Sequence, residues 1–153
     1  MRKRSKYKPK GIRVDAVNWV VAGLKPISSV GDALLNLKSK NHSALTEIVQ
    51  GRGNRDQIDV LIAAMNMCEA YAIHGTGEDW LDEIKEGQDA LYNMAKRGLD
   101  KGKFLFTGPE MKAINLAMDI HDAQLEASNV KTMEDMIDFV QKQIILKKAR
   151  AIT

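Results

Sequence analysis

One segment constrains the fold of this chain more than any other. Between Ile58 and Ile73 only Asp59, Asn66 and Glu69 are strongly polar. Asn54 followed by Gln57 has the spacing of a capping box, and His74-Gly75-Thr76-Gly77 supplies a stop, so the run reads as a helix with defined ends. A helix apolar on nearly every side must be covered from several directions at once. That requirement places this one at the centre of a helical bundle.

The rest of the chain offers helices to surround it. Val14, Val17, Val20, Val21 and Leu24 recur at helical spacing until Pro26 ends the run. Ser29 or Asp32 can cap a second helix, with Leu34, Leu37, Leu45, Ile48 and Val49 as its buried stripe and Gly51-Arg52-Gly53 as its end. After the central helix, Trp80, Leu81, Ile84, Leu91, Met94 and Ala95 form another stripe, with Gly87 and Gly98 on or beside it. Each glycine costs a helix about 1 kcal/mol relative to Ala, which points to a neighbouring helix backbone approaching closely at both.

The connector Gly102-Lys103-Phe104-Leu105-Phe106 is apolar enough to cover one end of the core, and it is the one candidate strand, with no partner to pair with. Thr107-Gly108-Pro109-Glu110 then opens the best-specified helix, with Phe106 expected to pack on Met111 as a hydrophobic staple and Ile114, Met118, His121 and Leu125 on one face. That helix ends near Ser128-Asn129, and Thr132 with Asp135 caps a last one carrying Met133, Met136, Ile137, Val140 and Ile144. The fold expected is all-α: a compact bundle of five to six helices in one domain over residues 13–153, preceded by a disordered basic arm over residues 1–12.

Composition agrees with that reading. The apolar residues, 44% of the chain, are mainly Leu, Ile, Ala, Val and eight Met, with three Pro and few aromatics, a balance that favours helix packing over sheet. No stretch approaches the ~18 uninterrupted apolar residues of a spanning helix, and the charged start leads into no signal-peptide core. No membrane association is expected. A single cysteine, Cys68, excludes an internal disulfide and a thiolate cluster, and fits a reducing cytoplasm.

The net charge of +3 conceals a strong segregation. Residues 1–13 hold Arg2, Lys3, Arg4, Lys6, Lys8, Lys10 and Arg13 with no acid, and the last thirteen hold Lys142, Lys147, Lys148 and Arg150 with none. All 20 Asp and Glu lie between residues 14 and 140 beside only twelve of the 23 Lys and Arg, so the middle carries about −8. Seven cations around Tyr7 suit phosphate contact with a ring free to stack, and thirteen extended residues reach about 40 Å. Arg2, Lys3, Arg4, Lys6, Tyr7, Lys8, Lys10 and Arg13 are therefore the candidate nucleic-acid-binding residues. The plain alternative is a solubilising terminus. No zinc, helix-turn-helix or RNA-platform pattern is present, which favours backbone contact over base reading. The acidic middle allows the opposite role, a helical surface that imitates a phosphate array and occupies a partner's nucleic-acid groove, against the plain reading of a solvated bundle face.

Chemistry has fewer candidates. His121-Asp122, with His74 and Asp138 as outer ligands, invites comparison with helical phosphohydrolases, in which a metal-bound water is the nucleophile. Helical geometry opposes this, since His121 falls on the apolar stripe and Asp122 points about 100° away. A satisfied, partly buried histidine is the better reading. Glu-x-x-His pairs, His-Glu-x-x-His, the phosphate-binding Gly-rich loop and a Gly-x-Ser-x-Gly elbow are absent. Cys68 lies in the most apolar helix and reads as core. Met65, Met67, Met94, Met111, Met118, Met133 and Met136 mostly sit at core-facing spacing, with a Met-lined partner groove as the alternative. Arg52 between two glycines offers a phosphate contact, although a turn before a capped helix explains it. No cofactor and no enzymatic activity are expected.

Several stretches look familiar as a set: Arg4-Ser5-Lys6-Tyr7-Lys8-Pro9-Lys10, Lys40-Asn41-His42, Gly87-Gln88-Asp89-Ala90-Leu91 with Arg97-Gly98, and His121-Asp122-Ala123-Gln124-Leu125-Glu126. Together they resemble small uncharacterised proteins of proteobacterial bacteriophages and prophages, over most of the chain. The resemblance carries no activity and no site residues. It implies an accessory protein acting inside an infected bacterium. The charge pattern adds the expected partner, nucleic acid, a nucleic-acid-bound complex or a host protein, with a homodimer as one possible state of such a bundle. Inhibition of a defence complex, or of the transcription or replication machinery, through the acidic face is the sharper alternative.

Overall fold

The computed structural model describes residues 33–146. They form five helices: α1 (Ala33–Val49), α2 (Arg55–Ile73), α3 (Leu81–Lys101), α4 (Gly108–Ala127) and α5 (Val130–Ile145), with a short 3-10 turn over Glu78–Trp80. No strand occurs among the described residues. The expected basic arm, the expected helix over 14–24, the caps Ser29 and Asp32 and the basic tail lie outside them.

The expected centre is the observed centre: α2 touches each of the other four helices. It buries Ile58, Leu61, Met65, Cys68 and Tyr71, and around it Ile48, Ile84, Met94, Ile114 and Met118 complete the main core. A second, smaller cluster forms where Tyr71, Leu125 and Met136 meet, with Leu34 and Leu37 of α1 and Met133, Phe139 and Val140 of α5 packed against it.

Both expected capping boxes are present. The Asp56 amide donates to Asn54 Oδ1 at 2.8 Å, and the Asn54 amide donates to Gln57 Oε1 at 2.9 Å. Thr107 and Glu110 exchange the equivalent bonds at 2.9 and 3.3 Å. Glu110 also receives both arms of Arg97, whose guanidinium donates to the Leu105 carbonyl at 3.0 Å. Glu110 thereby starts α4 and ties it to the end of α3 through Arg97, and the hydrogen bonds from Arg97 hold its carboxyl below the ordinary carboxylate range.

Four local expectations need correction. The cap of α5 is Asn129, whose Oδ1 accepts from the Thr132 amide at 2.8 Å, so the helix begins before Thr132. Val49 is exposed because α1 ends there and the core no longer faces it. Trp80 sits in the 3-10 turn, half exposed, and does not join the α3 stripe. At Gly98 the close neighbour is the Phe104 ring of the connector, which a Cβ would meet at 2.0 Å, and not a helix backbone. Gly87 does behave as expected, since its Cβ would lie 2.5 Å from Ala117 Cβ and 3.3 Å from the Ala113 carbonyl of α4.

Candidate functional site

Three of the four buried polar residues, His121, Gln124 and Ser128, lie on or just beyond α4 where it packs against α2, and each is hydrogen-bonded there. The fourth, Asn41 of α1, leaves its Nδ2 without a hydrogen-bond partner among the described residues. His121 is 2% exposed and Gln124 3% exposed. Gln124 Nε2 donates to the carbonyls of Cys68 at 3.0 Å and Thr76 at 2.9 Å. Its Oε1 is thus left to accept from His121 Nδ1 at 3.1 Å, which fixes the neutral imidazole with its proton on Nδ1. The Tyr71 hydroxyl and Ser128 Oγ lie 2.7 Å apart, and the Tyr71 ring stands 6.3 Å from that of His121. The Thr76 amide donates to the Tyr71 carbonyl, and Gly77 turns with a φ of +84° directly under Gln124. The network latches the 76–77 turn onto α4 from inside the bundle.

Burial, opposed in part by Gln124 and Asp122, lowers the His121 pKa. The unfolded chain therefore binds a proton that the native imidazole refuses. Stability is complete above the ordinary value of 6.5 and falls by about 1.4 kcal/mol per pH unit as pH drops below it toward the native pKa. His121→Asn keeps a donor toward Gln124 but does not titrate. Urea unfolding of the parent between pH 6.5 and 5 should show this slope, and the variant should lack it; equal slopes would assign the loss to other groups.

Asp122 faces the other way, as helical geometry requires. Its Oδ2 lies 2.7 Å from His42 Nε2 on α1, and one turn along Lys38 pairs with Glu126. The two pairs form an antiparallel ladder between α1 and α4. His42 was not among the residues singled out from the sequence as candidates for chemistry. The signal was nonetheless there: Lys38 and His42 share the four-residue spacing of Asp122 and Glu126, with opposite charge sense.

The other nominated metal ligands do not converge on His121. His74 Nδ1 lies 2.8 Å from the carbonyl of Ala70, and its ring meets the Phe139 ring edge-on at 4.7 Å. Asp138 is exposed on α5. Among the described residues no group of three or more His, Cys, Asp and Glu is placed to hold a metal ion. Cys68 is fully buried, and desolvation pushes its thiol up to about 12. Arg52 is held at the α1 turn by a two-armed pair with Glu47. Met65, Met94, Met118 and Met136 are buried core, while Met67, Met111 and Met133 are partly buried. A depression of about 200 Å³ between the start of α2 and the end of α3 is walled by Ile62, Leu99 and Phe104, with Arg55 and Asp59 as its charged lining.

The surface of the described residues is acidic on balance. Residues 33–146 contain eighteen Asp and Glu against twelve Lys and Arg. Asp82, Glu86 and Asp89 fall on one exposed face of α3 at spacings of four and three, preceded by Glu78 and Asp79 in the 3-10 turn. Leu116 of α4, the helix packed most closely on α3, is 40% exposed. No described helix is long and apolar enough to cross a membrane. Arg2, Lys3, Arg4, Lys6, Tyr7, Lys8, Lys10 and Arg13 lie outside the described residues. No family model, curated protein or solved structure matches the chain.

Proposed function

We propose that this is a non-enzymatic accessory protein, a helical platform whose basic N-terminal arm contacts nucleic acid or a ribonucleoprotein in the cytoplasm of a phage-infected bacterium. The charge segregation carries the reading. A bundle with eighteen acids and twelve bases repels a polyanion, whereas residues 1–13 hold seven cations and no acid. The packing of the interior supports it too, because His121, Gln124, Tyr71 and Ser128 are buried and hydrogen-bonded in pairs. The setting in a phage follows from the sequence resemblance alone.

Contact with about six phosphates implies a slope near −5 for log affinity against log salt, at ~0.9 per phosphate. Anisotropy of a labelled oligonucleotide across a salt series measures it, and deletion of residues 1–13 should flatten the line. A slope unchanged by the deletion would remove the arm from the account.

The acidic stripe on α3 favours a second reading, occlusion of a basic nucleic-acid groove on a partner complex. In that case the partner would still bind after arm deletion and would be lost when Asp82 and Glu86 are changed to Lys.

A further inference from the structure

The depression between the first turns of α2 and the last turns of α3 has two kinds of lining. Ile58 and Ala95 are buried at its base, while Ile62, Leu99 and Phe104 are large, apolar and only partly buried around it. A Cβ at Gly98 would meet the Phe104 ring at 2.0 Å, so this glycine is what lets the ring stand as one wall. The remaining lining is charged. Arg55 and Asp59 stand one turn apart on α2, both exposed, and neither is ion-paired among the described residues. A base placed four residues before an acid is the weaker orientation of such a pair on a helix, which leaves both groups available.

These features select a ligand class. A purely apolar guest would strip water from Arg55 and Asp59 without replacing it, and a simple anion would meet the Asp59 carboxylate and three apolar walls. A molecule carrying both charges beside an apolar body satisfies every part of the lining. Size limits the body: a cavity of about 150 Å³ holds a benzene ring, and this one measures about 200 Å³. The long guanidinium arm and the short carboxylate, about 5–6 Å apart at their Cβ atoms, can converge on two neighbouring charges.

We infer that this depression binds a small zwitterion with an apolar body, the class of the aromatic and branched α-amino acids. Arg55 takes the carboxylate, Asp59 takes the ammonium, and Ile62, Leu99 and Phe104 hold the body. The site is built entirely on the bundle and is independent of what the basic arm contacts.

Amide chemical shifts of the full chain, titrated in turn with L-phenylalanine, phenylpropanoate and phenylethylamine, test it, because the three probes share a ring and differ in their charges. The expected result with L-phenylalanine is saturable shifts centred on residues 55–62 and 95–104, at a dissociation constant of about 1 mM, the strength that about twelve heavy atoms reach in an open site. Each singly charged probe should bind roughly three- to tenfold more weakly. Arg55→Gln should lower the affinity for L-phenylalanine to that of phenylethylamine and leave phenylethylamine itself unchanged. Asp59→Asn should do the same with respect to phenylpropanoate. Both side chains are exposed, so both variants keep the fold of the parent. Absence of saturable shifts by ~10 mM would overturn the inference, as would shifts scattered over the surface. So would equal affinity for all three probes, since the depression would then accept any apolar group, a partner's side chain included, and not a zwitterion.

Discussion

Gly87→Val is expected to lower folding stability by about 3 kcal/mol. Even a bare Cβ at this position would stand 2.5 Å from Ala117 Cβ and 3.3 Å from a backbone oxygen of α4. Neither neighbour is the end of a flexible side chain, so α3 and α4 must separate along the most extensive helix contact in the molecule. Helix propensity pulls the other way by only about 1 kcal/mol. The clash explanation makes a sharper statement about a pair of substitutions. Combining Gly87→Ala with Ala117→Gly moves one methyl group across the interface without changing the volume it must hold. The pair should be more stable than the sum of its single changes by roughly 1–3 kcal/mol, measured by urea unfolding. Additive losses would show that the glycine is needed for some other reason.

Gln124→Leu comes second, at about 2–4 kcal/mol. The substitution roughly preserves volume but leaves the His121 Nδ1 proton and the Thr76 carbonyl without their partner inside the bundle. Its signature is local as well as global. The turn at Thr76 and Gly77 should lose exchange protection before α2 does, because Gln124 is its tie to α4. A variant as stable as the parent would mean that water or another side chain already satisfies these groups.

Much of this fold could be read from local pattern. The two capping boxes, the limits of α2 and its central place follow from short-range spacing, and so does the divergence of His121 and Asp122, since 100° per residue leaves no alternative. The errors share a cause. Val49 and Trp80 carry the right residue type for a stripe but sit at a helix end or just outside it, where the core no longer follows the period. Asn129 reads from sequence as the end of the preceding helix, yet Asn and Thr both serve as caps and only the path of the chain decides between Asn129 and Thr132. Gly98 signalled a close approach correctly without saying what approaches, and the Phe104 ring comes from six residues further along.

The candidate site was legible in a different measure. That His121 is a satisfied residue on the core-facing stripe was apparent from its position among Ile114, Met118 and Leu125, although its burial is complete where only partial burial is expected. Gln124, three residues from His121, stands at ordinary helical contact spacing. The His42–Asp122 pair was not apparent, because it joins residues 80 apart and the matching spacings on α1 and α4 become informative only once the two helices are known to be neighbours. The charge segregation needed no structure at all, and it is the feature on which the functional proposal rests.

The most direct test of that proposal is a titration of isotope-labelled full-length protein with a single-stranded oligonucleotide, followed by amide chemical shifts. Changes confined to residues 1–13, with the amides of α2 and α4 unmoved and reversal in high salt, are the predicted result. Shifts centred on His42, His121 and Asp122, or none anywhere in the chain, would contradict it.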